Sequence, residues 1–458
     1  MKILNRFITS YLLLIILPWF ANAKINDDAL NQLVKHVKEK PQALTLVKSL
    51  TTEVGPRIAG SPGDKMAVKW AENKFKTLGF DKIYKEPVRV RNWSRGIASA
   101  TVIAPYKQKL VVTALGGTIA TPKDGLTAQV VQFDSLESLI KADKAEVENK
   151  IVFINKKMRR HKQGKGYRPV VIARSKGAIE AAKLGAKAIV IRSVGTSNTR
   201  FAHTGAMKYD ATVEKIPAGA LSNPDADLLA SMFENNSPVT INLQLDAKEH
   251  GWQTSYNVIG EITGTEQPEN YILLAAHLDS WDEGTGALDD GAGVGVVMAA
   301  AANIKNITGQ PKRTIRVVLY ANEEFGLVGA KGFVKKHKAS FDKIIVAAES
   351  DFGAGPIWQF STNFGNNFEQ GKALLAKYFA PYNIAHGNNK AYGGPDISML
   401  PKYGVPVVSL SQDGTNYFDY HHTPNDTFDK IVPAELNQNE LIWTIFGYIT
   451  ANSDISFR

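Results

Sequence analysis

The sequence predicts an α/β protein: a mixed, mostly parallel sheet flanked by helices, with a β-rich domain inserted into it. Three observations lead there. From residue 255 onward, apolar strand-like runs alternate with helical segments, the pattern of a sheet covered on both faces. Between 116 and 250 the texture changes to short strands with one helix. The strands of the last part each run into His, Asp or Glu, and an open α/β sheet gathers ligands beyond the carboxyl ends of its strands.

Residues 1–23, MKILNRFITSYLLLIILPWFANA, join a basic start (Lys2, Arg6), an apolar stretch and Ala21-Asn22-Ala23, the build of a cleaved secretory leader. The apolar stretch of about 14 residues falls short of the roughly 20 that span a bilayer, so no stable membrane insertion is expected after cleavage. The expected address is periplasmic or extracellular. The chain contains no cysteine, so disulfides and lipid attachment at Cys are excluded. Core packing and any bound metal must hold the exported protein together.

Residues 27–50 show helical spacing at Ala29, Leu30, Leu33, Val34 and Val37. After the loop VGPRIAGSPG, a second helix is predicted over 65–78, capped by Gly79, then a strand over 82–90 and two strand-like runs in 99–114. In the insertion, strands are expected at 128–133, 150–154, 188–191 and 240–245, with a helix at 177–184. The last part should give strands at 271–276, 314–321, 343–349 and 405–410. Its helices are expected at 291–305, 326–337, 366–380 and 433–452. The implied organisation is a leader (1–23), a first part of the main domain (24–115), the insertion (116–250) and the second part with the site (251–458).

Net charge is +10, or +8 once Lys2 and Arg6 leave with the leader. The densest basic stretch, KKMRRHKQGKGYR at 156–168, reads as a solvated loop, with attraction to an anionic surface as the functional alternative. No interleaved aromatics accompany it, so no nucleic-acid partner is expected. GAGVGVV at 291–297 follows a loop and has Val296 where a dinucleotide fingerprint needs its third glycine; close helix–sheet packing accounts for it.

The chemistry is carried by four strand ends. ILLAA leads to His277 and Asp279, VVLYAN to Glu323 and Glu324, IIVAA to Glu349 and Asp351, and VVSLSQD to Asp413 and then His421 and His422. Asp289 and Asp290 follow His277 across a Gly-rich loop. Carboxylates gathered without compensation repel one another, and desolvating each costs several kcal/mol. A divalent cation removes that penalty. Nitrogen and carboxylate ligands without thiolate suit Zn2+, with Co2+ or Mn2+ as alternatives. Two imidazoles and three or more carboxylates exceed one tetrahedral site, which argues for two metals sharing a bridging carboxylate.

HLDSWDEGTGALDD, YANEEFGLVG, AESD and HHTPND resemble the motifs of the co-catalytic dizinc exopeptidases, the group of bacterial zinc aminopeptidases and glutamate carboxypeptidases. The resemblance extends through VGPRIAGSPGDK, EPVRVRNWSRG and PKRTIRVVLYANEE to the carboxypeptidase Q branch of that group, and it covers the whole mature chain. It implies an inserted protease-associated domain and two zinc ions. His277 would be a terminal ligand, Asp289 the bridge, and Glu324 and Asp351 ligands of one metal each. Asp279 would stiffen His277, and Glu323 would be the general base. The family's last histidine ligand stands four residues before an Asp, which fits His422 and Asp426; His421 stands where many relatives carry a Tyr that steadies the oxyanion. His386 and Asp396 match a loop near the substrate. Asp290 reads as a backbone-positioning neighbour and Glu349 as a strand-end residue. His161, His203, His250 and His337 read as surface residues. The resemblance further implies small peptides with free termini as substrates and a homodimer. An aminopeptidase of longer peptides, a one-metal cyclase or deacylase, and a non-catalytic binding protein are the rival readings.

Overall fold

The computed structural model describes residues 25–235 and 238–458. The leader at 1–23 lies outside the described residues. The helix expected over 27–50 is two, α1 (Asp27–Glu39) and α2 (Ala43–Glu53). Pro41 bars the preceding residue from helical geometry, and Lys40 takes φ −138°, ψ 60°. Next come α3 (Pro62–Thr77), capped by Ser61, and β1 (Lys82–Ser94).

The chain then builds a second sheet from β2 (Ala98–Ala104), β3 (Gln108–Leu110), β4 (Val112–Ala114) and β5 (Leu126–Phe133). Two short helices, α4 (Leu136–Ile140) and α5 (Lys144–Val147), lead to β6 (Ile151–Ile154), α6 (Arg168–Lys183) and β7 (Ala188–Arg192). β8 (Ala218–Leu221), α7 (Asn223–Glu234) and β9 (Thr240–Leu245) complete it in the order β3-β2-β9-β5-β6-β7-β8-β4. This sheet starts at Ala98 rather than at 116, because β2 pairs with β9, β3 with β2 and β4 with β8, and none of them with β1. It is also not merely β-rich. Packed cores cover both faces, one using Leu229 and Met232 of α7, the other Val170, Ala173 and Ala181 of α6.

β10 (Lys248–Ile262) returns to the first sheet, followed by β11 (Gln267–His277), α8 (Ala292–Thr308), β12 (Arg313–Tyr320) and α9 (Val328–His337). Then come β13 (Ile344–Glu349), β14 (Ile357–Asn363), α10 (Phe368–Phe379), β15 (Ala385–His386), β16 (Val407–Gln412) and α11 (Pro433–Asn452). The order is β1-β10-β12-β11-β13-β16-β14-β15. The four central strands, β12, β11, β13 and β16, are mutually parallel, and antiparallel β10 and β14 flank them. Along β11, Ile272, Leu274 and Ala276 face the core beneath α8 and α11, while Tyr271, Leu273 and Ala275 face the one beneath α9. A strand covered on both faces reads as the continuous apolar run seen here.

The run Ala287–Thr308 is, among the described residues, the one helical stretch long and apolar enough to cross a bilayer, and it is buried in the core from Ala287 through Ile304. Its glycines permit that. A Cβ on Gly293 would stand 2.1 Å from the Ser350 carbonyl oxygen, so the GAGVGVV segment serves close helix–strand contact.

The amino end of α2 has no local cap. Instead, the buried Glu440 carboxylate of α11 accepts from the main-chain N–H of Gln42 (2.9 Å) and Ala43 (2.8 Å), and from Asn303 Nδ2 (2.8 Å). A carboxylate at a helix amino end is favoured by both hydrogen bonding and the helix dipole. Glu440→Ala should therefore lower unfolding free energy by about 2–3 kcal/mol, read from urea denaturation.

Candidate metal centre

The carboxyl ends of the four parallel strands converge on one place. β11 ends in His277, the turn after β12 carries Glu323 and Glu324, β13 runs on to Asp351, and the segment after β16 supplies His421 and His422. Asp289 hangs from the turn before α8, joined to Asp290 by a cis peptide bond.

Asp289 lies between the two imidazoles. Its Oδ1 is 3.3 Å from His277 Nε2, and its Oδ2 is 3.1 Å from His422 Nε2. His277 Nε2 also faces Asp351 Oδ1 at 3.6 Å, and His422 Nε2 faces Glu324 Oε2 at 3.1 Å. His421 stacks on His422 with ring centroids 3.5 Å apart, and its Nε2 is farther from Asp289, at 3.6 Å. Donor atoms of His277, Asp290 and Asp351, of Asp289, His421 and His422, and of His277, Asp289 and Glu324 form three overlapping groups, each within 4.8 Å.

The residues fit a metal on two counts. The donors are imidazole nitrogen and carboxylate oxygen, the set that suits zinc. Asp289 Oδ2 and Glu324 Oε1 are also buried without an aligned hydrogen bond. Leaving such oxygens unsatisfied is costly unless a cation takes them.

Electrostatics agree. Burial opposes a charged His277, yet the Asp351 charge and contacts with Asp279 and Asp289 hold its pKa well above the ordinary value. Against the same burial, Glu324 and Asp289 raise His422 to about 9. Burial would raise Asp289 as well, but His277, His422 and His421 hold it well below the usual carboxylate range. Burial raises Glu323 and Glu324. Protons here occupy lone pairs for which a cation competes, so metal binding releases them and weakens at low pH.

Each donor is held from behind. The main-chain oxygen of Asp279 accepts from His277 Nδ1 at 3.0 Å, and its Oδ1 accepts the Glu323 N–H at 3.0 Å. Asp290 accepts from the N–H of His277 (3.2 Å) and Gly293 (3.1 Å). Asp426 accepts from the N–H of Leu288 (2.7 Å) and Asp289 (3.2 Å), fixing the turn that carries Asp289. Asn257 braces the Glu323–Glu324 turn, bonding the Ala321 N–H (3.0 Å) and the Gly329 carbonyl (2.9 Å).

Residues 257–446 match the profile of peptidase family M28. Carboxypeptidase Q of Homo sapiens is 33% identical over 433 residues, 93% of this chain and 89% of that protein. The chain belongs to peptidase family M28. A crystal structure of a peptidase M28 precursor from Shewanella amazonensis superposes with a TM-score of 0.93 at 51% identity, covering 94% of this chain and 98% of that one. The zinc aminopeptidase of Bacillus subtilis shares the fold, with a TM-score of 0.64 at 20% identity over 90% of this chain and 94% of its own.

Several residues of this M28 site escaped the motif reading. Arg57 is fully buried and donates to the carbonyls of Leu278 (2.6 Å), Thr285 (2.7 Å) and Gly286 (2.9 Å), tying down the loop between His277 and Asp289. Gly286 has φ +58°, and a Cβ there would lie 2.3 Å from Ser280 Cβ. The second sheet's unit contributes too. The Thr204 N–H donates to the His422 carbonyl (2.9 Å), and the Thr204 carbonyl and Arg174 Nη1 each stand 3.3 Å from His422 Nδ1. His422 itself has φ +62°, an uncommon backbone for a non-glycine residue and one often found at functional sites.

His203 is not a surface residue. It is buried and donates from Nδ1 to the His421 carbonyl at 2.7 Å, because the unit carrying it folds back over the site. His386 lies on β15, within reach of Thr362 Oγ1 (3.1 Å) and packed on Phe360 and Phe368, and among the described residues it makes no hydrogen bond to the candidate metal ligands. Asp396 is buried beside Glu349, whose Oε2 accepts its N–H at 2.9 Å, and both its side-chain oxygens lack partners.

Burial lowers His203 to about 4 from an ordinary 6.5. The unfolded chain then binds the extra proton first, so this group's contribution is intact above about pH 6.5 and is lost towards pH 4. Stability of the wild type relative to His203→Asn should fall by about 3 kcal/mol from about pH 7.5 to 4, measured by denaturant titration of both in one buffer series.

Proposed function

We propose that this M28 chain is an exported zinc-dependent exopeptidase, holding two zinc ions, that hydrolyses small peptides, chiefly dipeptides with free termini. The observation carrying the reading is the Asp289 carboxylate, one oxygen toward His277 and the other toward His422, with Asp351 and Glu324 beside them. That is the geometry of a bridging ligand between two donor sets. The shorter approach of His422 supports it over His421 as the ligand. The leader-like residues 1–23 support a periplasmic or extracellular address. The second sheet corresponds to the protease-associated domain of the resemblance, and the homodimer belongs to the same reading.

Bound divalent ions acidify water and polarise carbonyl oxygens. Glu323 is partly exposed while Glu324 is buried, and among the described residues its carboxylate makes no hydrogen bond. It is free to take the proton of the attacking water and return it to the leaving amine. Asp279 holds the Glu323 N–H and so fixes where that carboxylate starts. Burial, with His422 adding to it, keeps His421 neutral, which suits donation of a hydrogen bond to the oxygen of the scissile carbonyl.

The resemblance to the carboxypeptidase Q branch supports the dipeptide reading; an aminopeptidase acting on longer peptides is the alternative reading. Glu323→Gln should lower kcat by about 10²–10⁴ with metal content unchanged, whereas Asp289→Asn should lose metal by elemental analysis. The opposite pattern would reverse the two roles. Full turnover in strong chelator would sink the metal reading altogether.

A further inference from the structure

The basic stretch at 156–168 is solvent-exposed along most of its length, and it is anchored at Arg160 and Lys162. Arg160 pairs with Asp419 at 2.6 Å and donates to the Thr415 carbonyl at 2.7 Å. Lys162 faces Asp413 at 3.4 Å and lies over the Trp358 ring at 4.3 Å, and its carbonyl accepts the Gly414 N–H at 2.8 Å. Gly164 sits so close to Phe352 that a Cβ would come within 2.8 Å of its ring. The second unit thus lays this loop across the end of the first sheet, directly beside Asp351.

Between them is a cavity of about 370 Å³. One wall holds Asp351 and Glu349, the metal-site end; the others include Lys165 from the basic loop and Lys390 from the segment after β15. Unlike Arg160 and Lys162, neither lysine has an ion-pair partner among the described residues. The cavity is at the small end of ligand pockets, which run about 300–1,000 Å³, a size for a dipeptide rather than a long chain.

The carboxylates on the cavity wall belong to its metal-site end; the two exposed lysines on the other walls, unpaired among the described residues, favour an anionic ligand group over an ammonium where they stand. A peptide reaching Asp351 from this cavity carries one such group, its terminal carboxylate. We propose that Lys165 and Lys390 form a carboxylate clamp, contributed by two different parts of the chain, that reads the free C-terminus of the substrate. The peptide then lies with its last residue in the cavity and its scissile carbonyl toward Asp351 and Asp289. This rests on the peptidase reading and decides within it: recognition runs through the carboxyl end, not the amino end.

The test compares a free dipeptide with the same dipeptide amidated at its C-terminus, using the zinc-loaded full chain. The readout is the ratio of kcat/KM for acid over amide. Wild type should prefer the acid at least about ten-fold, and Lys165→Ala and Lys390→Ala should each shrink that ratio about five- to ten-fold, mainly through KM. Lys165→Arg and Lys390→Arg should keep most of it, and unchanged melting curves would show that the alanine variants remain folded. A double alanine variant with the wild-type ratio overturns the clamp while leaving the peptidase standing, as does a wild type indifferent to amidation. Failure of zinc-loaded wild type to cleave either peptide overturns the peptidase reading and the clamp with it.

Discussion

Asp279, Asp289, Asp290, Glu324, Glu349, Asp396 and Asp426 are all buried at one end of the first sheet, around the buried imidazoles of His277, His421 and His422. So many carboxyl groups in a dry place would drive one another apart, and much of the surrounding structure answers that repulsion. Some oxygens are satisfied by main-chain N–H groups, as at Asp290 and Asp426. Arg57 brings a cation underneath, although burial holds its own pKa below the usual value. Among the described residues, Asp289 Oδ2 and Glu324 Oε1 beside His422 remain without an aligned hydrogen bond, as do Glu349 Oε1 and both Asp396 oxygens. A fully paired cluster would have no use for a metal.

The same constraint explains why two sheets are needed. Strand ends of the first sheet aim the donors, but the His421–His422 segment is long and irregular, and the other unit holds its backbone through Thr204 and His203 and meets the His422 ring through Arg174. Trp281, four residues after β11 ends, packs into the core of the second unit with Trp93, and a Cβ on Gly116 would collide with its ring. Arg95 ties the seam again, donating to Thr113 and Thr204 while paired with Asp282. The insertion is therefore part of the site's support, and through the loop carrying Lys165 it walls the adjoining cavity.

Much of this was written in the order of residues. Apolar runs of the right length ending in His, Asp or Glu marked β11, β12, β13 and β16, because a strand buried on both faces admits few polar residues until it leaves the sheet. The limits of α11 were legible to the residue, set by Pro433 at its start. Pattern was weaker where elements are short or bent: β14 and β15, and α7 behind its Ser222 cap, went unread, and Pro41 split what spacing alone made one helix.

By itself, the sequence marked the central parallel strands and the candidate donors, since both rest on local composition and on spacing along one segment. Only the tertiary structure decided how closely Asp289 approaches His277 and His422, that a glutamate near the carboxyl end caps α2, and that His203, Arg174 and Lys165 belong to the site's surroundings. Those contacts join residues that lie far apart along the chain, up to 398 positions in the case of the helix cap. No periodicity within a segment can encode them; closure of the whole fold brings them together.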